Sequence, residues 1–274
     1  MTNLPSVTAL NLEMDNGWLT IWFDQVEKRN AFTEDLTKDL IAVLEAVRDQ
    51  REVRGITLRG RGGIFCAGGD LKAFKSGFQS GGSREDVVTM SANAAYIFDL
   101  VNSMPQVVIV LIEGAAMAGG FGLTCCADVV ICETAARFAM TETAIGLSPA
   151  QIAPFVLQRL GYATGRRLML TGARFTGSEA KELGLADYVA DTVEEMQAIE
   201  LQLRKQVLGC APGAVAGTKE LILSFAGKTR PEVIDAAANN FADRMHSDEA
   251  KEGIGSFLEK RKPNWVATPT QEKA

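Results

Sequence analysis

Two glycine-rich segments and one isolated carboxylate carry the chemistry that is legible in this chain. "CAGGDLKAF" (66–74) follows the strand-like run "GITLRG", and "AAMAGGFGL" (115–123) follows "VVIVLIEG". Each leads from an apolar strand toward a helix. Glycine lets a backbone approach a ligand closely and adopt positive φ. The first amides of a helix have no intrahelical acceptor and sit at the positive end of its dipole. Two such amides aimed at one point would hold an oxyanion, and one donor of this kind is worth about 3–4 kcal/mol in a transition state. Tight strand-to-helix turns with no ligand use glycine in the same way, so the two segments alone leave both readings open.

Other chemistries find less support. The run Gly60-Arg61-Gly62-Gly63 does not continue as a dinucleotide-binding GxGxxG, and no Walker A loop is present. No GxSxG elbow occurs, and the single histidine, His246, sits in a late helical stretch far from any candidate nucleophile. It is read as a solvated helix residue. The five cysteines, Cys66, Cys125, Cys126, Cys132 and Cys210, are odd in number and lack a CxxC pair. They read as buried free thiols, and with one histidine no metal site is expected.

The elements that must position these residues follow from periodicity. "GWLTIWFD" alternates Trp18, Thr20 and Trp22 against Leu19, Ile21 and Phe23, a strand pattern. Thr33 can cap a helix whose apolar face is Leu36, Leu40, Ile41, Leu44 and Val47. "VRGITLRG", "QVVIVLIEG", "DVVICE" and "ARFAM" read as strands, the second apolar enough to be buried on both faces. "SGFQSGGSREDVV" (76–88) reads as a mobile surface loop before the helix "VTMSANAAYIFDLVNSM". Strand and helix alternate to about residue 190, and helices alone follow. The organisation expected is a core domain over 1–200 and a helical cover or oligomerisation region over 201–274.

With 47% hydrophobic residues among 274, the chain can build a large core. A net charge of −6 without a basic stripe argues against nucleic acid as a partner. The first residues lack a basic stretch followed by an apolar one, so no signal peptide is expected. The longest apolar run, "MPQVVIVLIEGAAMAGGFGL", is broken by proline and glycine, so no membrane segment is expected either. A cytoplasmic location is the corresponding expectation.

Five segments in order then carry a resemblance: "VEKRNAFT", "FCAGGDLKAF", "EGAAMAGGFGLTCCADVVIC", "RFAMTETAIGLSPAQIAPFVLQRLG" and "GARFTGSEAKELGLADYV". They resemble successive landmarks of the crotonase superfamily, the enoyl-CoA hydratase/isomerase family, over nearly the whole chain. The resemblance implies an α/β fold, a crotonase-like spiral of ββα turns with a C-terminal helical region. It also implies a homotrimer or dimer of trimers, and an acyl-CoA thioester substrate with no cofactor beyond the coenzyme A that the substrate carries.

The site residues come from the same resemblance. The thioester oxygen would lie between the amides of Gly69 and Gly119. Asp70 would organise its own loop. Lys28 and Arg29 match a segment along the CoA, with Lys28 placed for a phosphate. Ala67 and Leu71 match positions along the adenine and pantetheine. Phe257 and Lys260 match a C-terminal helix that reaches a CoA site.

Family hydratases use two glutamates. One aligns with Glu142, in "FAMTETAIG"; the other aligns with Gly122, which has no side chain. Glu142 would then serve alone, either carrying a proton from water to C2 or shuttling one between C4 and C2. An apolar pocket would raise its pKa, and Phe121, Phe138 and Met140 are its apolar neighbours in sequence. Glu113 is read as a packing or turn-binding residue. "LSPAQIAPFVLQRLG" resembles hydratases of branched or glutaconyl-type CoA esters, isohexenylglutaconyl-CoA hydratases among them. Hydration of a 2-enoyl-CoA is therefore the expected reaction. Double-bond isomerisation and a non-catalytic acyl-CoA binder are the alternatives. Arg174 and Gln151 are further polar residues that could meet a substrate carboxylate or water.

Overall fold

A computed structural model describes residues 4–71, 75, 81 and 83–269. The strands form two sheets. The larger holds β1 (Leu10–Asp15), β2 (Trp18–Phe23), β3 (Gly55–Gly60), β4 (Val107–Ile112), β6 (Val129–Glu133) and β9 (Tyr188–Ala190), in that spatial order. Only the β1–β2 pair is antiparallel. The smaller sheet is β5 (Ala115–Met117), β7 (Arg137–Ala139) and β8 (Arg174–Thr176), with β5–β7 parallel and β7–β8 antiparallel.

The chain visits the sheets in turn. β4 lies in the large sheet, β5 in the small one, and α3 (Gly119–Cys126) follows. β6, β7 and the long helix α4 (Ala153–Thr171) repeat that order, with α4 broken at Gly161, whose φ is 72°. β8, α5 (Gly177–Glu182) and β9 complete the spiral. The result is a mixed α/β fold of ββα turns.

The alternation in β2 explains how both faces of the large sheet are covered. Leu19, Ile21 and Phe23 join the main core, with the helices α1 (Glu34–Arg48), α2 (Arg84–Ser103) and α3. Trp18 points the other way, with Ile109, Leu111 and Ile131, onto Met196 and Leu208 of α6 (Val193–Gly209). Trp18 needs Gly55 opposite, because a Cβ there would stand 2.3 Å from its ring. Its indole donates to Thr57 Oγ1 (2.8 Å), which donates to Glu200 Oε1 (2.5 Å). Arg204 neutralises Glu200 from one helical turn away. Trp18, Thr57 and Glu200 on this face are thus paired, as burial requires.

α6 runs through residue 200, and α7 (Pro212–Leu223), α8 (Arg230–Met245) and α9 (Asp248–Leu258) follow without a strand. Among the described residues no helix is long and apolar enough to cross a membrane.

Residues 76–80 and 82 of the expected loop 76–88 lie outside the described residues. Its described end differs from expectation: α2 begins at Arg84, not at residue 88. The cause is a capping box, in which Ser83 Oγ accepts from Asp86 N (3.1 Å) and Asp86 Oδ2 accepts from Ser83 N (2.8 Å). Cys66, Cys125, Cys126 and Cys132 are buried free thiols, but Cys210 is exposed. Burial pushes the Cys66 and Cys132 thiols up to about 12, so neither is a ready nucleophile.

Candidate active site

The two glycine-rich segments lie side by side in parallel register. Cys66 N donates to Ala115 O (3.1 Å) and Met117 N to Cys66 O (3.0 Å), with Cys66 paired to Ala116. Two residues on, a Cβ on Gly68 would stand 2.9 Å from the Cβ of Ala118. Both backbones there are at positive φ, 96° for Gly68 and 48° for Ala118. Gly69 and Gly119 are the next residues of the two segments, and both border one cavity. Neither amide has an acceptor among the described residues.

Residues 29–32 hold the first segment in place. Ala67 N donates to Arg29 O (3.1 Å) and Phe32 N to Gly68 O (2.8 Å). Phe32 also packs on the second segment, since a Cβ on Gly119 would lie 3.0 Å from its ring. Asn30, fully buried at positive φ, donates to Arg61 O (2.9 Å) and Ile64 O (2.7 Å) and accepts from Gln25 N (2.9 Å). Sequence reasoning missed Asn30 and Ala118. Asparagine tolerates the left-handed region, which was a usable signal for Asn30; alanine gave none.

Gly69, Gly119 and Glu142 line one cavity of about 290 Å³, together with Ala67 and Leu71. Glu142 heads the short turn Thr143–Ile145, and its carbonyl accepts from Ile145 N (3.1 Å) and Leu147 N (2.9 Å). Its Oε2 is buried and has no hydrogen-bond partner among the described residues. Burial raises the carboxyl pKa above the ordinary value, offset in part by its own backbone amide. The apolar surroundings differ from those expected. Phe121 and Phe138 pack with Phe175 in the core, and Met140 is buried there too. The cavity wall is instead Phe32, Ile97, Phe98, Leu147 and Ile152.

The Gly122 position is filled by a neighbour. A Cβ on Gly122 would stand 2.2 Å from Ile152 Cγ2 and 3.4 Å from Phe98. Ile152, at the N-terminus of α4, occupies the space that a side chain at 122 would need.

Of the remaining candidates, all but Gln151 fall away from the cavity. Lys28 and Arg29 are exposed, on and just after the turn Val26–Lys28. Asp70 follows Gly69 and does not line the cavity. Phe257, 82% exposed, and Lys260, at φ 55°, lie at the end of α9 and also outside it. Arg174 is exposed on β8, whereas Gln151 does line the cavity. Glu113 lies outside and pairs with buried Arg59 (2.5 Å). A larger cavity, about 770 Å³, lies beside α7; Arg159 and Lys219 in its wall are paired with Asp187 and Asp128.

Comparison with known proteins agrees with this fold. A family model described as enoyl-CoA hydratase/isomerase matches residues 13–268. A putative enoyl-CoA hydratase of Thermus thermophilus is 30% identical, covering 93% of this chain and 100% of the relative. The carnitinyl-CoA dehydratase of Proteus mirabilis is 32% identical, covering 94% of this chain and 98% of its own. The solved structure of Pseudomonas aeruginosa AtuE superposes with a TM-score of 0.91 at 39% identity, covering 95% of this chain and 100% of that one.

Proposed function

Because the chain belongs to the enoyl-CoA hydratase/isomerase family, we propose that it hydrates a 2-enoyl-CoA thioester, with Glu142 as its only acid–base group. One observation carries this reading: the positions of Gly69, Gly119 and the buried, unpartnered Glu142 carboxylate line a single cavity. The thioester carbonyl oxygen accepts from the two glycine amides. That polarisation makes C3 electrophilic and stabilises the enolate formed by attack there, more strongly than it stabilises the ground state.

The ionised Glu142 takes a proton from water as the water oxygen bonds to C3. The C2–C3 π electrons move to the thioester, giving an enolate. Glu142, now protonated, returns that proton to C2. Water is added across the double bond, and the carboxylate is regenerated. Carnitinyl-CoA dehydratase, named for the reverse type of step, is a relative at 32% identity.

The filled Gly122 position favours a second reading. With Ile152 where another carboxylate would reach, Glu142 could shuttle a proton between C4 and C2 and move the double bond without water. Incubation with 2-enoyl- and 3-enoyl-CoA esters in heavy-oxygen water separates the two. Label at C3 supports hydration, and bond migration without label supports isomerisation. Absence of either, with binding retained, leaves an acyl-CoA binder.

Around this core, Lys28, Arg29, Ala67, Leu71, Phe257 and Lys260 are proposed to contact the CoA moiety. Phe241, Ile254, Phe257 and Leu258 are exposed apolar residues of α8 and α9. They suit a contact between copies of the chain in a trimer or dimer of trimers.

A further inference from the structure

The cavity has one polar pair far from its amides. Gln151 and Ser91 both line it, and Gln151 Nε2 donates to Ser91 Oγ at 2.9 Å. Among the described residues no donor reaches Gln151 Oε1, and no acceptor takes the Ser91 hydroxyl hydrogen. The pair therefore presents one acceptor and one donor. Ala94, Ile97 and Phe98 on α2 and Leu147 and Ile152 opposite give the cavity an apolar wall, with Ser148 a further hydroxyl in its lining.

Helix α2 gives the pair's distance from the reacting end. Ser91, Ala94, Ile97 and Phe98 form one stripe along it, all on the cavity. Phe98 marks the amide end, since its ring would lie 3.8 Å from a Cβ on Gly119. Ser91 lies seven residues earlier, about 10 Å along the axis. An extended chain advances about 1.2 Å per bond, so the pair lies some eight bonds from a thioester carbonyl held at the amides.

We infer that Gln151 and Ser91 form a distal acyl anchor that selects thioesters carrying a neutral hydroxyl group near the eighth carbon. A hydroxyl donates to Gln151 Oε1 and accepts from Ser91 O–H, matching both free functions of the pair. A carboxylate would lack a charge partner, because no lysine or arginine lines the cavity among the described residues. The inference rests on the acyl-CoA reading but not on which reaction occurs.

The test is equilibrium binding by calorimetry, with saturated, unreactive ligands: octanoyl-CoA against 8-hydroxyoctanoyl-CoA, with the 6- and 10-carbon pairs as a ladder. The hydroxylated eight-carbon ligand is expected to bind up to about tenfold tighter than octanoyl-CoA, the change that one net hydrogen bond at a half-buried site produces. Gln151→Leu should bring the two affinities together. Ser91→Ala should do so in part, and serves if the first variant does not fold. Equal binding of both ligands by the unmodified protein overturns the anchor and spares the acyl-CoA reading. A preference that survives both substitutions also overturns it. Binding of neither ligand overturns both.

Discussion

Ile152 stands where a side chain on Gly122 would have to be: a Cβ on the glycine would lie 2.2 Å from Ile152 Cγ2. The absent second carboxylate is therefore not an open vacancy. Gly122→Glu alone should overpack this spot and lower stability by about 1–3 kcal/mol, read from the denaturant midpoint. Adding Ile152→Ala should recover most of the loss. A single variant as stable as the unmodified chain would refute the packing account.

Glu142→Gln keeps the shape of the side chain and removes its proton chemistry. Turnover should fall about 10²- to 10⁴-fold, the usual contribution of a general acid–base group. Affinity for a saturated acyl-CoA should persist, since the two amides are untouched. Loss of both would mean that Glu142 holds the cavity together instead.

The pH behaviour of Glu142 follows from its burial, which raises its pKa. In the proposed role of base it would work ionised, so kcat/KM should rise with pH through a value above that of an ordinary glutamate. Stability runs the other way. A carboxyl with a raised folded pKa contributes stability below its unfolded pKa and loses it as pH climbs through the folded one. Glu142→Gln should thus raise the denaturant midpoint at neutral pH, with the gain shrinking on acidification. An equal gain at every pH would argue against a buried charge.

Gly68 sits at φ 96° with Ala118 against it, whereas Gly63 sits at φ 69° with nothing within 4 Å. Gly68→Ala should cost about 1–3 kcal/mol through backbone strain and displace the amide register, lowering turnover as well. Gly63→Ala should cost about 1 kcal/mol, the left-handed penalty alone. Thermal unfolding and a turnover assay on both variants would separate the two effects.

Glu113 closes the buried Arg59 pair, with Arg59 also stacked 4.3 Å over the Trp22 ring. Glu113→Ala would strand a buried guanidinium and should cost about 3–5 kcal/mol. The Arg59→Met, Glu113→Leu double variant should regain much of it. Turnover per folded molecule should hardly change; a large loss would place Glu113 in the chemistry.

Much of the scaffold could be read from local pattern. The β2 alternation separates two cores because side chains of a strand point to opposite faces. Thr33 caps α1 by accepting from Leu36 N (3.2 Å), a bond within four residues of sequence. The start of α2 was misjudged because the capping box at Ser83 lies inside a glycine- and serine-rich stretch that reads as loop. The aromatic neighbours of Glu142 were misjudged for a different reason: β7 turns Phe138 into the core, and adjacency in sequence says nothing about which side of a sheet faces a cavity.

Sequence by itself offered two glycine-bearing segments that follow strands, a matter of residue type and short spacing; the glutamate at 142 and the glycine at 122 stood out only through the resemblance to the family. Tertiary structure alone decided that the segments run in parallel register at Cys66 and Ala116, with Gly69 and Gly119 on one cavity, and that Ile152 fills the place beside Gly122. Both depend on contacts between residues far apart in the chain, and only packing brings such residues within a few ångströms.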